Sequence, residues 1–177
     1  MRKFVESTFV ALDGVIGSPQ DWGAPYWDDE HERYAGKLLF AAEALLLGRA
    51  TYEGFAQAWP SRSGEAYADR INAMPKHVAS RVLETASWNA RVIRGDVAAE
   101  VRDLKAQPGD TLLKFGTGEL DRTLMAHNLV DEFHFWVFPV AAGGGQRLFD
   151  GFDLTHLRLL DSTTFRSGIV VLVYGPK

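Results

Sequence analysis

Hydrophobic and polar positions along the chain fall into short runs with two periods, one suited to strands and one to helices. Phe4 to Leu12, rich in Val, Phe and Thr, predicts a first strand, and Asp13-Gly14 ends it in a loop that runs to about Pro25. Asp28, Asp29, Glu30 and Glu32 open a helix, their charges complementing its dipole, and Tyr34, Leu38 and Ala41 or Ala42 follow at helical spacing. Ala44 to Leu47, closed by Gly48, predicts a fully buried strand. Thr51 to Trp59 predicts a second helix stopped by Pro60, and residues 61–75 read as an excursion ending at Pro75. Lys76 to Ser80 and Ala90 to Ile93 predict strands, and Val97 to Ala106 a helix ended by Pro108-Gly109. Thr111 to Phe115 predicts a buried strand, Gly118 to His127 a helix, and Asp131 to Val140 a strand of alternating aromatics. Leu157 to Phe165 and Ile169 to Tyr174, around Arg166-Ser167-Gly168, predict a hairpin. The whole is an α/β fold, its central sheet mostly parallel with an antiparallel C-terminal hairpin.

No repeat, linker or low-complexity tract interrupts the pattern, so residues 1–177 are expected to form one domain. A hydrophobic fraction of 46% and a charged fraction of 24% are ordinary for a globular chain. Cysteine is absent, which excludes disulfides, thiol catalysis and Cys-ligated zinc, and fits a reducing compartment. A net charge of −4 argues against binding nucleic acid through a basic field. Glu6 stands where a signal peptide needs its apolar core, and no apolar run approaches the ~20 residues of a membrane helix. The chain is therefore expected to be cytoplasmic, with neither nucleic acid nor membrane as partner. His31, His77, His127, His134 and His156 are scattered, without HExxH or triad-like spacing, so no metal site is expected.

Two strand-to-helix junctions carry candidate chemistry. In the first, Leu47-Gly48-Arg49-Ala50-Thr51-Tyr52-Glu53, a glycine admits a ligand to the backbone, the helix start offers free N–H groups, and Arg49 adds a permanent charge. The plain alternative is a Thr51 N-cap beside a surface arginine. In the second, Phe115-Gly116-Thr117-Gly118-Glu119-Leu120, a buried strand again meets small residues and a helix, although Asp121 breaks the full GxGxxG pattern. Its alternative is a tight turn. Two such junctions in one small sheet favour a ligand at the carboxyl ends of the strands.

These residues carry a family resemblance over nearly the whole chain. Leu12-Asp13-Gly14-Val15-Ile16-Gly17 resembles the first strand and loop of dihydrofolate reductases and of the riboflavin biosynthesis reductase (RibD C-terminal) domains. Gly48-Arg49-x-Thr51-Tyr52-Glu53 is similar to the family element that contacts the NADPH phosphates. Ala79-Ser80-Arg81 resembles the segment that holds the adenosine 2′-phosphate, and Gly116-Thr117-Gly118-Glu119-Leu120 the turn under the pyrophosphate. Val130-Asp131-Glu132-Phe133, Pro139-Val140 and Gly143 to Phe149 resemble the C-terminal block of the riboflavin-type domains. Departures are Val15 in place of a basic residue, Lys114 or Phe115 in place of the glutamate before the glycine turn, and no zinc deaminase ligands.

The resemblance implies a dihydrofolate-reductase-like three-layer fold and hydride transfer from NADPH to a small pyrimidine- or pterin-like substrate. It implies that Arg49, Thr51, Ser80 and Arg81 hold phosphates, that Gly48, Gly116, Thr117, Gly118 and Glu119 form the two junctions, and that Ile16 and Gly17 shape the nicotinamide pocket. The loop to Pro25 would act as a lid. Asp13 or Glu32 would position the substrate or relay a proton, Asp13 otherwise fixing the loop; Asp28 and Asp29 compete with Glu32 for the place of the helix acid, which is expected among Trp22, Trp27 and Leu38. The family commonly pairs, and the aromatics from Phe133 to Phe138 are expected to supply a homodimer face.

Overall fold

Strands buried on both faces need unbroken apolar sequence, and Leu45, Leu46 and Leu47 meet that need with no exposed surface at all. They lie in β2 (Ala42–Gly48) of the computed structural model, which describes all of residues 1–177. The other strands are β1 (Lys3–Ala11), β3 (Lys76–Ala79), β4 (Ala90–Ile93), β5 (Thr111–Phe115), β6 (Glu132–Phe138), β7 (Leu157–Thr164) and β8 (Val170–Pro176). The helices are α1 (Pro19–Gly23), α2 (Asp29–Ala41), α3 (Arg49–Ala58), α4 (Ala66–Ala73), α5 (Val97–Ala106) and α6 (Glu119–Ala126). The eight strands lie in the order β4-β3-β2-β5-β1-β6-β8-β7. No helix is long and apolar enough to cross a membrane.

The chain divides into two compact units. The first comprises Met1–Phe4 and Gly36–Phe115. Here β3 and β5 run parallel to β2 on either side, and β4 runs parallel to β3. Leu39, Ile71, Met74, Val78, Val101, Leu112 and Leu113 fill the core. Residues 61–75, expected as an excursion, contain α4. Its buried Ala68 and Ile71 are three apart on one face, a period too short to stand out from sequence. Asn72 anchors it: the side-chain amide donates to the carbonyls of Trp59 (3.1 Å) and Arg62 (2.9 Å) and accepts from the Trp88 indole at 2.6 Å.

Lys76, 1% exposed, opens β3 with its ammonium donating to the Met74 carbonyl at 2.7 Å and lying over the Trp88 ring at 4.0 Å. Burial pulls its pKa from 10.5 down to about 8. The unfolded chain holds that proton more tightly, so stability rises with pH between about 8 and 10.5 and is insensitive to this group below. Comparing urea unfolding at pH 8 and pH 10, wild type should gain about 2 kcal/mol on Lys76→Met. A difference that stays flat with pH would contradict the assignment.

The second unit comprises Val5–Ala35 and Gly116–Lys177. β1 runs parallel to β6 in the register Val5↔Glu132 through Ala11↔Phe138, and β8 pairs antiparallel with both β6 and β7. The expected loop to Pro25 is instead helical, as α1 and a 3-10 turn over Ala24–Tyr26, with Pro19 in the helix's first position. It is pinned rather than loose. The Trp22 indole donates to the Gly17 carbonyl at 2.9 Å, the Tyr26 hydroxyl to the Pro139 carbonyl at 3.2 Å, and both rings meet the edge of Phe138. Phe133, Phe135, Trp136 and Phe138 are all buried in the unit's own core, which removes the homodimer face expected of them. The exposed apolar side chains of this unit's sheet are Leu159 and Leu160, on the outermost strand β7.

Candidate functional site

In the first unit the register brings one set of candidates together. Gly48 and Ala79 are partners across β2 and β3, so Arg49 and Ser80-Arg81 leave neighbouring strand ends in the same direction. Gly48 caps α3 in extended backbone without a side-chain cap, so Thr51 is not the cap and the first-turn N–H groups stay open to an anion. A Cβ at Gly48 would meet nothing within 4 Å. Arg49 pairs with Glu53 at 3.2 Å, both side chains about half exposed, a contact a phosphate can replace at little cost. The Ser80 hydroxyl oxygen accepts from the amides of Val82 (3.2 Å) and Leu83 (3.0 Å), leaving its O–H to donate outward. Arg81 is exposed.

In the second unit the glycine turn rests on a buried carboxylate that the sequence reading assigned no role. Gly116, at φ +75°, takes a conformation that favours glycine, and its N–H donates to the Ser7 carbonyl at 2.9 Å. Thr117 donates its hydroxyl to Glu6 Oε1 at 2.5 Å and lies 2.9 Å from the Thr8 hydroxyl. Glu6 has no exposed surface. The Gly118 N–H donates to Asp121 Oδ2 at 2.6 Å, which fixes the start of α6, while Glu119 points to solvent. A charge in the middle of the apolar run from Phe4 to Leu12 was the signal for Glu6.

Asp13, Ile16 and Gly17 belong to a clasp with residues 143–148. Asp13 Oδ2 accepts from the Gly143 N–H at 2.7 Å, and Arg147 donates to the Asp13 carbonyl at 2.7 Å. The Ile16 and Leu148 amides close it, donating to Gln146 and Gly14 carbonyls at 2.8 Å each. The Gly143 amide, against the opposing effect of burial, and the amides of Ala142 and Val15 hold Asp13 below the usual aspartate pKa. Asp13 thus fixes the loop through Oδ2, and as an ionised carboxylate engaged by amides it is a poor proton donor.

Glu32 is exposed, and the apolar enclosure expected around it lies one residue away. Asp28 Oδ1 accepts from the amides of Glu30 and His31 at 3.0 Å each, starting α2 in a phase that turns His31 inward and Glu32 out. His31 is 9% exposed among Trp27, stacked at 5.6 Å, Phe9 at 5.4 Å and Trp136 at 5.0 Å. Phe9 and Trp136 are register partners near the carboxyl ends of β1 and β6. Burial, only partly offset by the Asp28 charge, lowers the His31 pKa and keeps its ring neutral near pH 7.

A family model described as the RibD C-terminal domain matches residues 2–171. Protein YyaP of Bacillus subtilis (strain 168), itself uncharacterized, is 27% identical over 98% of this chain and 94% of its own length. Among solved structures, a Shewanella sp. PV-4 protein named for riboflavin biosynthesis superposes with a TM-score of 0.79 at 19% identity, covering 99% of each chain. The Thermotoga maritima diaminohydroxyphosphoribosylaminopyrimidine deaminase/5-amino-6-(5-phosphoribosylamino)uracil reductase gives 0.68 at 15% identity, over 99% of this chain and 57% of that one. Dihydrofolate reductase from Enterococcus faecalis, complexed with NADP(H) and RAB-propyl, gives 0.64 at 15%, over 98% and 95%. These likenesses show the dihydrofolate-reductase-like α/β fold.

Proposed function

The chain belongs to the RibD C-terminal domain family, and from that premise we propose that it is an NADPH-dependent reductase of a small pyrimidine- or pterin-like heterocycle. In the first unit, Arg49, Ser80 and Arg81 bind phosphate oxygens, helped by the open N–H groups of α3 behind Gly48. In the second, Gly116, Thr117 and Gly118 present backbone to a pyrophosphate, a position that fits because a Cβ at Gly118 would project into open space. Ile16 and Gly17, held by the clasp and by Trp22, line the nicotinamide side. Bound NADPH supplies the hydride; the protein supplies orientation and electrostatics. The reading places the chain in the cytoplasm. It also retains a homodimer, with β7 rather than β6 as the strand offering apolar side chains.

The observation that carries this reading is the Gly48↔Ala79 register, which sets two arginines on adjacent strand ends beside an uncapped helix. Charge-assisted hydrogen bonds contribute about 1.5–3 kcal/mol each. Calorimetry should therefore show NADPH preferred over NADH by about 100-fold, with Arg49→Ala and Arg81→Ala each lowering NADPH affinity about 10-fold and leaving NADH unchanged. Equal affinities for the two nucleotides would overturn the phosphate assignment. Loss of absorbance at 340 nm with candidate heterocycles tests turnover; binding without turnover would favour a nucleotide-binding regulator.

A further inference from the structure

Glu6 has no exposed surface, in a strand whose Phe4, Val5, Val10 and Ala11 are buried too. A carboxyl group moved from water into such surroundings carries a cost that only hydrogen bonds offset. Valine, the better strand former, would carry none. What Glu6 does with its oxygen is hold one residue: Thr117 donates to Oε1 at 2.5 Å, at the short end for O–H···O bonds. A hydroxyl has a single proton, so the Thr117 oxygen is left to accept from Thr8, 2.9 Å away.

Thr117 is the middle of the glycine turn, whose amides are unequally committed. The Gly116 N–H goes to the Ser7 carbonyl at 2.9 Å and the Gly118 N–H to Asp121 Oδ2 at 2.6 Å. The Thr117 N–H meets no protein acceptor, although the residue is only 9% exposed. It is the donor this turn keeps for something else. The residues on either side are glycines, whose peptide planes rotate more freely than any others. The one side chain in the turn is therefore the one that can fix where its free N–H points, and Glu6 holds that side chain from inside β1.

We propose that Glu6 is a positioning residue for the cofactor: through Thr117 it aims the turn's uncommitted N–H at a pyrophosphate oxygen without itself touching the nucleotide. This deepens the reductase reading and rests on it for the ligand. A carboxyl group in direct contact with a pyrophosphate would weaken binding. One layer down, with a hydroxyl between, it fixes a donor instead. A turn set in its binding conformation spares the ligand the cost of ordering it, and the saving appears as affinity.

The test combines NADPH calorimetry with amide hydrogen exchange of the free protein, on wild type, Thr117→Val, Thr117→Ser, Glu6→Gln and the Glu6→Gln/Thr117→Val pair. Thr117→Val keeps the shape and removes the hydroxyl, so NADPH affinity should fall about 10-fold. The hydrogen-bonded Gly116 and Gly118 amides should also exchange about 10-fold faster relative to those of α2. Thr117→Ser should restore both. Glu6→Gln, whose neutral oxygen accepts more weakly, should lose about 3-fold in affinity and nothing further when added to Thr117→Val. Glu6→Gln binding as wild type does, while Thr117→Val binds weakly, would overturn the proposal and leave the hydroxyl in contact with the nucleotide. Losses that add in the pair would overturn it too, since Glu6 would then act by another route. Faster exchange shared equally by α2 would reduce both residues to ordinary stabilising contacts. Each of these leaves the cofactor assignment intact. Wild type that does not bind NADPH would sink that assignment, and the positioning role with it.

Discussion

Gly118→Val is expected to abolish NADPH binding while the protein stays folded. The backbone at Gly118 is extended, which a residue other than glycine can adopt, and a Cβ there meets nothing within 4 Å, so the substitution is expected to leave the fold intact. The contacts that start α6 are retained, since the Gly118 N–H to Asp121 Oδ2 bond and the Asp121 N–H to Gly118 carbonyl bond use only the residue's backbone. What changes is the open space itself, which two methyl groups would fill where the pyrophosphate is assigned. Calorimetry should show a loss of at least about 100-fold, equivalent to about 2.7 kcal/mol, with an unaltered melting temperature. Normal binding by Gly118→Val would reduce this junction to a turn. Gly116→Val is the poorer test, because φ +75° strains any β-branched residue and confounds binding with stability.

Glu6→Ala should produce the largest loss of stability of any substitution considered. It would leave the Thr117 hydroxyl, now 2.5 Å from Glu6 Oε1, without its buried acceptor, and would open a cavity in a strand whose residue 6 has no solvent contact. Leaving a buried hydroxyl unsatisfied costs about 1–3 kcal/mol before the cavity is counted, which for a chain this size lowers the melting temperature by about 2–12 °C or more. Glu6→Gln keeps an oxygen to accept from Thr117 and should lose less than half as much. Calorimetric melts of the two variants decide the point, and a shift under about 2 °C for Glu6→Ala would show that the cluster contributes little.

What could be read from sequence was what neighbours in sequence determine. The ranges of β4, α5 and β5 agree with expectation residue for residue, because glycine or proline follows each of them and precedes α5 and β5, and their apolar periods are unmixed. The second helix was misplaced by two residues because a glycine cap leaves no side-chain signature, whereas Thr51 offers a false one. Long-range partners decided the rest. Asp13 pairs with an amide 130 positions away, and Glu6 with a threonine 111 positions away, so neither role was visible in its own segment. The choice between Glu32 and His31 turned on a single residue of helical phase. Asp28 sets that phase by capping α2, and composition says nothing about it.

The division of the chain also bears on how it is made. Phe9 and its neighbours in β1 belong to the second unit, but their register partners on β6 follow only after Gly36–Phe115, most of the first unit, have been synthesised. At about 5–20 residues per second, the strand carrying Val5, Phe9 and Val10 waits roughly 6–25 seconds for Trp136 and Phe138. The first unit can collapse during that interval; the second cannot. The emerging N-terminal segment is thus an apolar strand without its mate, the kind of segment that chaperones hold, and slower translation between Phe115 and Phe138 would lengthen its exposure.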